Sequence, residues 1–158
     1  QYGLSQQQFS YAFALNAGGI MLMSSLNKHL NTRMDIFPRL RLGGTIQCFG
    51  ALIVVSAGLM NHAPLWLLMS GLFLVVSGIG LTGPNAMALA MSKQGARAGT
   101  ASAIMGSMQF ACGLLGGVIL NFLIWKASLN MGLMMLMFTS AGLFAIFKVG
   151  KQQDSIFS

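Results

Sequence analysis

The stretch that decides the fold is Leu65–Met91, LWLLMSGLFLVVSGIGLTGPNAMALAM, which runs without one charged side chain. About 20 apolar residues in helical conformation cover the roughly 30 Å of hydrocarbon in a bilayer. This stretch is long enough to cross and must tilt or bend to fit. Gly80, Gly83 and Pro84 offer a place for a kink, because proline removes a donor from the helical ladder. Four similar stretches surround it, at 9–26, 42–60, 98–124 and 129–147, mixed in Leu, Met, Ala, Gly and Phe. None shows the strict alternation of a barrel strand, so the expected fold class is all-α, a polytopic membrane protein of five transmembrane helices.

The charges between these stretches set an orientation. Of nine Lys and Arg residues, Lys28, Arg33, Arg39 and Arg41 fall between the first two spans. Lys93 and Arg97 fall between the third and fourth, and Lys148 and Lys151 follow the fifth. The alternate gaps, at 61–64 and 125–128, hold only Lys126. Basic loops stay on the cytoplasmic side, so this alternation predicts a cytoplasmic C-terminus and an external Gln1. Trp66, Trp125, Tyr2 and Tyr11 fall near the expected outer boundary, where amphipathic rings settle. A translocated N-terminus without a signal segment predicts that at least one helix precedes Gln1 in the complete protein.

Composition agrees. Charged residues are 7% of the chain, against a soluble norm of about 25%. Mean hydropathy is +0.72. The net charge of +7 does not argue for nucleic-acid binding, which needs basic residues gathered on one exposed face. Here they cap apolar spans, where they can meet anionic headgroups.

No Asp, Glu, His, Lys or Arg lies inside the expected hydrocarbon core. Asp35 and Asp154 are the only acids, and His29 and His62 sit at or beyond span ends. An intramembrane ionisable group is the default ion carrier, so proton coupling is expected to reside outside this chain. The same absence opposes an enzyme: no catalytic residue, metal site or cofactor is expected. Cys48 and Cys112 lie within spans and read as small buried hydrophobes. Met131, Met134, Met135 and Met137 are read as spread around the fifth helix, as filler rather than a directed pocket. Residues 27–41 read as a solvated connector, with Pro38 at a turn before the second helix and Asp35 free to pair with Arg33 or Arg39.

The polar residues left inside the membrane are few. Lipid cannot satisfy an amide, so Asn16, Gln47, Asn85 and Gln109 either join neighbouring helices or face a cavity. The fourth helix carries adjacent small-residue ridges, Ala98, Ser102 and Gly106 beside Gly99, Ala103, Ser107 and Ala111. Gly113 and Gly117 extend them, which predicts close helix packing on that face. Gln109 and Phe110 interrupt it.

The runs Gly-Leu-Thr-Gly-Pro-Asn-Ala-Met-Ala at 80–88 and Arg-Ala-Gly-Thr-Ala-Ser-Ala at 97–103, followed by Gln109 and Phe110, resemble bicyclomycin-resistance-type multidrug/proton antiporters. These belong to the major facilitator superfamily. The opening Tyr-Gly-Leu-Ser at 2–5 and Phe-Ala-Leu-Asn at 13–16 resemble the start of the family's eighth helix. The resemblance implies a twelve-helix protein of the bacterial inner membrane, with residues 1–158 as a partial C-terminal half containing helices eight to twelve. The first half and the seventh helix would be absent. It further implies export of amphipathic small molecules by alternating access, with protons coupled through the N-terminal half. In that architecture the first, third and fourth spans line the cavity, so Phe13, Asn16, Ser77, Asn85, Gln109 and Phe110 are the expected cavity residues. Gly83, Pro84, Ser102, Gly106, Gly113 and Gly117 are the expected packing or kink positions. A transporter of another metabolite class, or a structural membrane protein using the fourth helix as a docking face, remains the alternative.

Overall fold

The structure, a computed structural model, describes residues 5–92, 94–122 and 125–157. They form five long helices: α1 (Gln6–Leu30), α2 (Ile36–Leu59), α3 (Leu65–Met91), α4 (Ala98–Phe122) and α5 (Ala127–Phe157). A single 3-10 turn, Gly95–Arg97, precedes α4. Each helix is long and apolar enough to cross a membrane, and no strand occurs among the described residues. The chain is an all-α, multi-pass membrane protein.

Local chemistry explains the boundaries. Ser5 caps α1: its hydroxyl accepts from the Gln8 backbone N–H while the Gln8 side chain accepts from the Ser5 N–H. This reciprocal pair satisfies donors that a helix start leaves free, and α1 begins earlier than residue 9. The first connector is far shorter than expected. With Asp35 at the N-cap, α2 starts at Ile36 and carries Pro38, Arg39 and Arg41 inside the helix. Pro38 costs nothing there, because first-turn N–H groups have no intrahelical acceptor. α3 continues as helix through Pro84, and both Gly83 and Pro84 lie on its exposed side. α5 extends well past the expected 147, to Phe157.

α2 is the organising helix, packed against α3 on one side and α5 on the other. Small residues repeat along it at spacing seven in two adjacent stripes: Gly43, Gly50 and Ala57, then Gly44, Ala51 and Gly58. All six are buried. A Cβ placed on Gly50 would stand 2.8 Å from the Gly71 carbonyl oxygen of α3. One on Gly58 would stand 2.7 Å from the Leu129 nitrogen of α5, and one on Gly132 would stand 2.8 Å from the Val55 nitrogen. Backbones this close exclude any side chain, which is how helices associate where lipid removes the hydrophobic drive. α1 rests on α3 in the same way: a Cβ on Gly80 would lie 2.6 Å from the Ile20 carbonyl oxygen.

α4 stands apart from this core. Gly116 is its only buried residue among those described. A Cβ on Gly99, Gly106, Gly113 or Gly117 would meet nothing within 4 Å. Among the described residues the close packing expected of the fourth helix is not made; the tight glycine contacts belong to α1, α2, α3 and α5.

Candidate functional site

The contacts run α2 antiparallel to α3 and α5, with α1 parallel to α3, so the ends of α1, α3 and α5 meet the start of α2. Lys28, Arg33, Arg39, Arg41, Lys148 and Lys151 collect at this end. Lys126 lies at the other, its ammonium donating to Asn61 Oδ1 at 2.9 Å.

Three helices are tied together at the basic end by a buried polar cluster. Arg39 is 7% exposed, Asn27 9% and Asn85 3%. Asn27 Oδ1 of α1 accepts from Arg39 Nη1 of α2 at 3.2 Å and from Asn85 Nδ2 of α3 at 2.8 Å. Asn85 Nδ2 also donates to the Leu81 carbonyl at 2.7 Å, and Arg39 Nε to the Asp35 carbonyl at 3.3 Å. Arg39 therefore is not the solvated loop residue expected from the sequence, and it bonds the backbone of Asp35 rather than its carboxylate. Burying a guanidinium is costly unless its donors find acceptors, and one amide oxygen serves two helices here. Sequence reading picked Asn85 but missed Asn27 and Arg39, because both fall at a span boundary where polar residues are expected.

The six cavity candidates separate into two groups. Asn85 is part of the cluster just described. Ser77 is fully buried on α3 beneath Gly19 of α1, with its hydroxyl unpaired. Asn16 is half-buried on α1, and Phe13 on the same helix is 70% exposed. Gln109 and Phe110 stand on the open side of α4, Phe110 at 83% exposure. Among the described residues neither Asn16 nor Gln109 has a hydrogen-bond partner. Gln47, the last of the four amides singled out from the sequence, joins helices by donating to the Val75 carbonyl at 3.4 Å.

Two apolar cavities lie elsewhere. One of about 560 Å³ opens between α2, α3 and α5, with Gln47 and Thr82 among its walls. Another, of about 520 Å³, lies between α3, α4 and α5. Met131, Met134 and Met135 line it opposite Cys112 of α4. Their spacing of three and four puts these methionines on one helix face, correcting the expectation of an undirected Met surface. Met137 alone is turned away, half exposed. None of the six candidates lines either cavity.

Two curated proteins are similar to this chain. A "Bicyclomycin resistance protein homolog" of Haemophilus influenzae is 29% identical over 116 residues, covering 73% of this chain and 29% of its own length. The "Uncharacterized MFS-type transporter YdgK" of Bacillus subtilis is 33% identical over 118 residues, covering 75% of this chain and 28% of its own. The chain thus spans under a third of the length of either relative. No family model matches, and no solved structure matches. Five apolar helices and these two relatives agree: the chain is similar to bicyclomycin-resistance-type transporters of the major facilitator superfamily.

Proposed function

We propose that this chain supplies helices eight to twelve of a secondary exporter that moves amphipathic small molecules out of a bacterial cell, coupled to protons. The observation that carries the reading is the pair of unpartnered amides, Asn16 on α1 and Gln109 on α4, each with an exposed phenylalanine close by in sequence. An amide left without a partner in hydrocarbon costs about 4–8 kcal/mol. Such groups belong against a water-filled path or a second protein surface, not against lipid. Phe13 and Phe110 add aromatic area that an amphipathic molecule can stack on. The name of one relative supports transport as the activity, and the name of the other supports drug resistance.

In this reading the basic end of the bundle is cytoplasmic, the membrane is the inner membrane, and the C-terminus faces inward. Coupling falls to residues outside α1, α3 and α4, whose described hydrocarbon-depth residues include no Asp, Glu, His, Lys or Arg. The alternating movement would carry α1, α3 and α4 against the other half of the transporter.

The test is efflux of several chemically distinct drugs from vesicles containing the full-length protein under an imposed pH gradient. Gln109→Ala and Phe110→Ala should change the order of substrate preference while drug-driven proton release persists. A uniform loss for every drug at normal expression would assign both residues to structure. Loss of proton exchange with drug binding intact would place coupling within these helices and refute the reading.

A further inference from the structure

We propose that Arg41 and Lys151, at the outer seam of α2 and α5, form a binding site for the headgroup of an anionic phospholipid. The two arginines of the first turns of α2 differ in one respect. Arg39 turns inward and is satisfied by Asn27 and the Asp35 carbonyl. Arg41 lies across α5, its guanidinium 4.9 Å from the centroid of the Phe147 ring. Its Nη2 stands 2.6 Å from where a Cβ on Gly150 would be, so the absence of a side chain at Gly150 is what lets the guanidinium lie there. The side chain is half-buried, and its Nε is shielded from solvent without a hydrogen-bond partner.

A held cation with a shielded, unsatisfied donor calls for an acceptor. The described residues supply none to this Nε, and the side chain of Asp154 lies outside the described residues. Lys151 follows Phe147 by one helical turn and so shares its face, and it is exposed. Below this pair the helices present apolar side chains outward, Phe49 and Leu52 of α2 with Phe144 of α5, each more than half exposed. The arrangement is two cations above an apolar strip in a membrane protein. Its charge complement is a phosphodiester carrying net negative charge, with its acyl chains laid along the strip. Basic pockets between transmembrane helices select such lipids, and a guanidinium grips phosphate oxygens better than an ammonium does. The site does not depend on what the protein transports.

Native mass spectrometry of the full-length protein, released from detergent, tests this. The titrants are phosphatidylglycerol and phosphatidylcholine with identical acyl chains, and soluble glycerol phosphate. The parent should bind phosphatidylglycerol in preference to phosphatidylcholine and bind glycerol phosphate negligibly. Arg41→Gln should weaken phosphatidylglycerol binding at least about fivefold, with phosphatidylcholine binding unchanged. Lys151→Gln, on an exposed position outside the helix contacts, should show a loss of similar size and guards against misfolding of the Arg41 variant. Lys28→Gln, at the same end on α1, should retain parental binding. Equal loss in Lys28→Gln would reduce the effect to diffuse surface charge. Parental binding in both Arg41→Gln and Lys151→Gln, or glycerol phosphate bound as well as the lipid, would also overturn the site.

Discussion

Replacing Asn27 with alanine should destabilise the helical bundle more than any other single change in the polar cluster that is not a change of charge. Asn27 Oδ1 accepts two hydrogen bonds, one from the buried guanidinium of Arg39 and one from Asn85. A bond to a charged group contributes about 1.5–3 kcal/mol and a neutral one about 0.5–1.5 kcal/mol. Losing both should therefore cost about 2–4.5 kcal/mol. Asn85→Ala removes the neutral bonds to Asn27 and to the Leu81 carbonyl but leaves neither acceptor unpaired, since Asn27 keeps Arg39 and the Leu81 carbonyl belongs to the α3 ladder. That change should cost about 1 kcal/mol. Because both substitutions remove the same Asn27–Asn85 bond, the double variant should cost less than the two single losses added. The assay is unfolding of the full-length protein by increasing sodium dodecyl sulfate in mild detergent, followed by loss of helical circular dichroism, on both single variants and the double. If Asn85→Ala costs as much as Asn27→Ala, or the two losses simply add, the shared acceptor does not hold the three helices together.

Glycine substitutions should divide along the same structural line. Gly50→Ala puts a methyl 2.8 Å from the Gly71 carbonyl oxygen and should cost about 1–3 kcal/mol in the same unfolding assay. Gly106→Ala meets nothing within 4 Å and should leave the midpoint unchanged. The reverse ranking would place the tight interface on α4. Orientation is open to single-cysteine labelling in a background lacking Cys48 and Cys112. Ser92→Cys should react with a membrane-impermeant maleimide only after the cells are opened, and Asn61→Cys in intact cells. Labelling of Ser92→Cys from outside would invert the topology.

The length and hydropathy of each helix were legible in the sequence, because crossing a bilayer is a local demand. Leu65–Met91 must lie in hydrocarbon whatever its neighbours do, and its bounds in the structure are those expected from composition. The alternation of basic gaps likewise anticipated that Lys28, Arg41 and Lys151 would gather at one end, since antiparallel neighbours follow from short connectors. Packing was not legible in the same way. Glycine stripes occur on both α2 and α4, and nothing in their spacing says which one another backbone approaches. A signal for α2 was present, in the doublets Gly43–Gly44, Gly50–Ala51 and Ala57–Gly58 at heptad spacing, which suit a helix with neighbours on two sides. Arg39 and Arg41 are two residues apart, and hydropathy treats them alike. About 200° of helical turn separates them, so one reaches Asn27 and Asn85 while the other lies on Phe147. The methionines of α5 follow the same rule: only the placement of Cys112 and the α4 glycines opposite them turns three of the four into a cavity wall. Hydrocarbon selects for apolar character one helix at a time, whereas the partner of each buried amide, arginine and glycine is set by how the helices cross.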